Sequence, residues 1–215
     1  EFDMICTKNV HRHRISILWM YSMIFVAAVL QRHVFGANIM PVTVKSPNGV
    51  IKVKVQADSS GQMTWSIQRQ GESVLTAAPL GLTVNGNNLG KTITLGEPRT
   101  RTINEQYPTF GNHAVAVNHC NEAVIPVESA GGMEYNLEVR AYDDGAAVRT
   151  RVSLDDNVHT IAGESTAWAL PLDSHAWWAP YDPSYERPFE SGTFDSMPLN
   201  TPLSPPITFK LGDDL

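Results

Sequence analysis

Two tryptophans, two tyrosines and two carboxylates fall within residues 175–186, which read His-Ala-Trp-Trp-Ala-Pro-Tyr-Asp-Pro-Ser-Tyr-Glu. Sugar rings call for such a mixture, because their apolar C–H faces stack on flat aromatics while their hydroxyls need acceptor oxygens. Trp177, Trp178, Tyr181 and Tyr185 are therefore candidate carbohydrate-proximal residues. The competing role for Trp177 and Trp178 is to plug one end of a β core, since large aromatics dominate core packing generally. Pro180 and Pro183 exclude a helix through the segment and disfavour a central strand, so an ordered loop is expected.

Other candidate constellations are weaker. His119 lies three residues before Glu122, and such a pair would suit the acid–base chemistry of a sugar epimerase, or would be hydrogen-bonded structure between strands. Asp143-Asp144-Gly145 and Asp155-Asp156-Asn157 are ordinary turn chemistry before they are metal loops. Arg140, Arg149 and Arg151 sit at near-even spacing and are expected to form ion pairs on a solvated strand face. Ser165 and Ser174 lack the G-x-S-x-G context of a serine hydrolase, and no glycine-rich phosphate loop is present.

The elements that must position these residues are strands. Residues 51–55 and 63–69 alternate apolar and polar side chains, as half-buried strands do. Residues 73–76, 80–84, 114–117 and 123–127 are strand-like too, with Pro126 pointing to an edge or a bulge. Residues 135–142 and 147–152 flank Asp143-Asp144-Gly145 as the clearest hairpin, and residues 207–211 form one more short strand. Gln70-Gly71 and Asn85-Gly86-Asn87-Asn88 are turn signals. Strands roughly ten residues apart with turns between them indicate an all-β antiparallel sandwich or barrel. Pro188, Pro198, Pro202, Pro205 and Pro206 are expected to break any long element near the end. Gly212-Asp213-Asp214-Leu215 reads as a turn leading into a further strand of a longer chain.

Ahead of this region, Lys8, Arg12 and Arg14 precede an uncharged apolar run at residues 15–30, followed by small residues at Gly36-Ala37. That is the pattern of a secretory signal peptide, and residues 1–37 are read as a leader with a short scar before Met4. The run falls short of the ~18–20 residues of a stable membrane span. A periplasmic or secreted location follows, with an uncleaved tether as the alternative. The chain has 16 Lys/Arg and 22 Asp/Glu. Residues 1–37 hold four and two of these, leaving 12 and 20, a formal charge of −8. An acidic surface argues against a nucleic-acid partner. Cys6 would leave with the leader, so Cys120 has no intramolecular partner, and a cysteine-ligated zinc site is excluded.

Several segments resemble the N-terminal domain of glycoside hydrolase family 97, enzymes of α-glucosides and α-galactosides. Ser46-Pro47-Asn48-Gly49 is similar to its opening strand, and Pro79-Leu80-Gly81-Leu82 to its S/P-L-G-L segment. Asn118-His119-Cys120-Asn121-Glu122 resembles its R-N-H-Y-N-E motif, with Val117 and Cys120 replacing Arg and Tyr. Residues 137–149 resemble its F-R-A-Y-(D/N)-D-G hairpin, with Val148 for Phe. Trp177-Trp178 through Tyr185-Glu186 resembles its W-W-I-P … Y-D-S-Y-E loop. The resemblance covers most of residues 46–211 in family order.

It implies a β super-sandwich like that of galactose mutarotase over residues 38–215, followed in the full-length protein by a (β/α)8 barrel that carries the acid and base. The two carboxylates that set inversion or retention would lie on that barrel, so no catalytic residue is assigned here. By the same resemblance Glu186 would contribute to a calcium site shared with barrel carboxylates. The expected partners are an α-linked oligosaccharide and the barrel itself, and the expected role is a sugar-proximal module inactive alone. The alternatives are a stand-alone carbohydrate-binding or mutarotase-like module and a tethered surface sandwich.

Overall fold

The computed structural model describes residues 40–111, 114–155 and 157–212. The leader read at residues 1–37, and the turn read at residues 212–215 beyond Gly212, lie outside these. Strands β1 (Val42–Lys45), β2 (Ile51–Ala57), β3 (Met63–Arg69) and β4 (Glu72–Pro79) form an antiparallel meander, the first sheet. In β2 the buried Ile51, Val53 and Val55 alternate with half-exposed Lys52 and Lys54, which is what a strand with one covered face demands. β3 turns into β4 through Gln70 (φ 53) and Gly71 (φ 93). Strands β5 (Leu82–Val84) and β6 (Asn87–Asn88) are joined the same way through Asn85 (φ 50) and Gly86 (φ 79). Two consecutive positive φ values make the type I′ loop, whose twist matches that of the strands it joins.

The second sheet is built on one long strand. Strands β7 (Thr94–Leu95) and β8 (Arg99–Pro108) both pair with β9 (Val115–Glu128), whose other side pairs with β10 (Glu134–Tyr142), and β11 (Ala146–Val152) completes the sheet beyond it. The two short strands expected at 114–117 and 123–127 are thus one. Residues 118–122 continue the strand because their polar side chains have cross-strand partners, Thr102 for Asn121 and both Arg101 and Arg140 for Glu122. Pro126 does not lie on an edge, because β9 is internal. Its carbonyl accepts from Gly96 N–H at 2.8 Å, so its missing N–H faces the break between β7 and β8, where no ladder bond is lost.

The core lies between the sheets. Val42, Val44, Val53 and Val55 of the first share one buried cluster with Ala123, Ile125, Val127, Leu137, Val139 and Ala141 of the second. Tyr135 joins them and donates its hydroxyl to the Leu89 carbonyl at 2.6 Å, and burial pushes its phenol pKa up. β12 (Ile161–Glu164) pairs with β5, and residues after it strap the edge of β4: Thr76 N–H donates to Ala169 O at 3.0 Å and Ala167 N–H to Pro79 O at 2.9 Å.

A third small unit, β14 (Glu190–Thr193), β13 (His175–Pro180) and β15 (Leu203–Lys210), runs in that order across its sheet. Two expectations need correction here. Residues 175–180 are a central strand, not a loop, because Pro180 ends the strand instead of interrupting it. β15 runs through Pro205 and Pro206, because the register shifts opposite them between Trp177 and Ala179 and the strand is an edge, where a missing donor costs little. Among the described residues the helical content is one 3-10 turn, Phe194–Ser196. The all-β antiparallel sandwich read from the sequence is the architecture observed.

Candidate functional site

Strand alternation decides what residues 175–180 present. His175 and Trp177 point to the exposed face of β13, while Ala176 and Trp178 point inward. Trp177 is 37% exposed and Trp178 only 3%. The buried Trp178 donates its indole N–H to Glu190 Oε2 at 3.1 Å. It also packs so close over Gly192 that an added Cβ there would lie 3.3 Å from its ring. Trp178 is thus an anchor with no free face, and the pair read as two sugar-proximal residues divides into one exposed and one buried indole.

The register surrounds Trp177 with polar groups. Ser191 and Thr208 are its direct partners on β14 and β15, and on the next rung His175 lies between Thr193 and Lys210. Direct antiparallel partners share a face. The exposed indole therefore stands among three hydroxyls, an imidazole and an ammonium. His175 meets the indole edge-on, with ring centroids 4.6 Å apart and planes at 66°, which fixes the orientation of Trp177. Ser191, Thr208 and Lys210 were missed in the sequence because only strand pairing brings them to Trp177 from 14 to 33 residues away.

The rest of the segment is a turn wound on one carboxylate. Asp182 Oδ1 accepts from Ser184 N–H at 2.9 Å and Ser184 Oγ at 2.6 Å, and Oδ2 accepts from Arg187 Nε at 3.3 Å. The Ser184 bonds first, then Arg187, hold the Asp182 carboxyl below its usual range. Tyr185 sits in the left-handed region at φ 56, a strained position for a bulky residue. Tyr181, Tyr185 and Glu186 are all exposed. Among the described residues neither tyrosine stacks on Trp177, and no group of three or more His, Cys, Asp or Glu is placed to hold a metal ion. Glu186, read as a ligand to a shared calcium ion, has an exposed side chain and belongs to no such group among the described residues.

The His119/Glu122 pair does not form. Their odd spacing along β9 puts them on opposite faces of the sheet. Glu122, 1% exposed at its side chain, is gripped instead by Arg101 Nε at 2.6 Å and Arg140 Nε at 2.7 Å. Arg149 and Arg151 likewise close on Glu138, so the ion pairs expected of the arginines are present, on carboxylates that are themselves buried. Burial works against ionising Glu122, but the Arg101 and Arg140 hydrogen bonds outweigh it and hold its carboxyl below the usual range. A carboxylate locked between two guanidiniums is no general base.

The comparisons with known proteins settle the lineage. The family model described as the glycosyl-hydrolase 97 N-terminal region matches residues 44–215. The chain belongs to glycoside hydrolase family 97, as its N-terminal domain. A probable retaining alpha-galactosidase of Streptomyces bingchenggensis is 30% identical over 140 residues, 64% of this chain. The retaining alpha-galactosidase of Bacteroides thetaiotaomicron is 25% identical over 161 residues, 74% of this chain. The chain spans 22% of the length of each.

Among solved structures, a variant of a family 97 enzyme from Pseudoalteromonas sp. strain K8 superposes with a TM-score of 0.70 at 23% identity, covering 79% of this chain and 26% of that one. A complex of a family 97 enzyme from the same strain with acarbose gives a TM-score of 0.62 at 21% identity, over 70% of this chain and 24% of that one. These likenesses bear out the fold of the family 97 domain. Among its described residues no helix is long and apolar enough to cross a membrane.

Proposed function

We propose that this family 97 domain is the sugar-proximal module of a secreted α-glycosidase that acts on α-galactosides or α-glucosides, and that it contacts the glycan through Trp177. The observation that carries the reading is the exposed indole of Trp177 with Ser191, Thr208, Thr193 and Lys210 around it. The two relatives, a retaining alpha-galactosidase and a probable one, are several times longer, which supports placing the bond-breaking carboxylates outside this chain. The locked Glu122 gives the mutarotase-like alternative no acid–base pair.

Titration of the chain with a neutral α-linked trisaccharide, followed by tryptophan fluorescence and by calorimetry, tests the reading. Trp177→Ala is expected to weaken binding about tenfold, equivalent to ~1.4 kcal/mol, while Trp168→Phe, which alters another exposed indole, leaves it unchanged. Equal binding by the wild type and Trp177→Ala would remove the platform from the proposal.

Calcium enters the proposal as an ion shared with the rest of the enzyme, with Glu186 as this chain's ligand. Calcium takes about 6–8 oxygen ligands, so one exposed carboxylate leaves most of its shell to water. A site of millimolar Kd adds only ~0.4 kcal/mol at 1 mM free calcium, and thermal melts of the chain with calcium and with chelator should nearly overlay. A shift of several degrees that Glu186→Ala abolishes would instead place a complete site in the 182–190 turn.

A further inference from the structure

The outward face of the second sheet carries more positive charge than its ion pairs consume. Direct register places Arg101, Glu122 and Arg140 side by side across β8, β9 and β10, and places Arg99, Val124, Glu138 and Arg149 in the adjacent row. Arg151 stands beside them, opposite Asn136. Five arginines thus share two carboxylates, on a chain whose net charge is −6. Glu122 and Glu138 are buried beneath the guanidiniums, and Arg99 has no ion-pair partner among the described residues. Between the β8 and β11 arginines lies a depression of about 300 Å³, with Val124 and the two glutamates in its floor and Asn136 in its wall.

The way the glutamates are used matters. Glu122 takes the Nε–H of Arg101 and of Arg140, which leaves the outer Nη pair of Arg101, 64% exposed, with its donors toward solvent. Arg151 commits only Nη1, at 3.4 Å. A guanidinium carries five donors in a planar fork that matches an oxyanion's paired oxygens. The buried carboxylates hold the forks in place before any ligand arrives, which lowers the ordering cost of binding. β8 and β11 are three strand spacings apart, about 14 Å, a width that suits one sugar-sized group between the walls.

We propose that this arginine-walled groove on β8–β11 binds an oxyanion carried on a small ligand, the carboxylate of an acidic sugar or a sulfate ester. The site lies on a different sheet from Trp177 and does not rest on the glycan reading above. The two anion sources are separated by titrating the full chain with sodium glucuronate and with sodium sulfate. Sodium chloride at matched ionic strength and neutral glucose are the controls.

Millimolar binding of glucuronate, of sulfate or of both is expected, with none of glucose. The tighter of the two names the source. Arg99→Gln, which leaves Glu122 and Glu138 fully paired and so spares the fold, is expected to weaken that binding about tenfold. Arg151→Gln should do the same while the melting temperature stays within a few degrees of wild type. Equal stabilisation by chloride, or undiminished anion binding by Arg99→Gln, would overturn the proposal. So would indifference to both anions combined with self-association in sedimentation that Arg99→Gln abolishes, since the groove would then be a protein-docking face.

Discussion

Replacing Trp65 with alanine is expected to lower the stability of the domain by about 3–5 kcal/mol, the range for deleting a fully buried aromatic. Three losses combine at this position. The indole is 1% exposed in the cluster shared by the two sheets, and its removal leaves a cavity that rigid flanking strands cannot close. Its N–H donates to Ala167 O at 3.3 Å, which fixes the strap over β4. Trp168 of that strap packs edge-on against it at 4.8 Å, so the strap loses its anchor as well as its hydrogen bond. Urea unfolding followed by far-UV circular dichroism reads the effect. Trp65→Phe keeps most of the volume but drops the N–H and part of the ring system, so its cost should be smaller, about 1–3 kcal/mol. A Trp65→Ala cost below ~1 kcal/mol would mean that the strap and the core are not coupled through this residue.

What the sequence made legible follows from what periodicity measures. Strands with one apolar face, such as β2 with Ile51, Val53 and Val55, announce themselves because alternation of hydropathy is the trace of burial. β8 did not, and was absent from the sequence reading. Of its ten residues only Ile103 is buried, so its alternation is of polar against polar, arginines on one face and threonines on the other. Residues 118–122 were lost for the same reason, since Asn121 and Glu122 are held by a hydrogen bond and ion pairs and Cys120 is the one side chain among them buried as an apolar group.

The prolines misled in the opposite direction. Pro126, Pro180, Pro205 and Pro206 all lie in strands, each where a ladder bond is already missing, and sequence alone does not say where those gaps fall. At the candidate site, Trp177 and Trp178 were indistinguishable as letters. One residue of strand alternation separates an exposed platform from a buried anchor, and the hydroxyls and Lys210 beside Trp177 arrive only through register.

The same polar rows make Glu122 a sensitive test of how the second sheet is held. Glu122→Ala is expected to cost ~3 kcal/mol, the lower end of the range for breaking a buried ion pair. The low end applies because Arg101 is largely in solvent and can rehydrate, whereas Arg140, further inside, is left without its carboxylate. The wild-type carboxyl has its pKa below the usual ~4.3 of a glutamate, and the unfolded chain has the ordinary value. The folded state therefore binds fewer protons than the unfolded one as pH falls through that window. The contribution is fully present above pH ~4.5 and is lost as pH falls through the lower, folded value. Urea midpoints of the wild type and Glu122→Gln measured from pH 7 down to 3 should differ most at neutral pH and converge in acid. A constant offset across that range would show that Glu122 acts through packing and not through its charge.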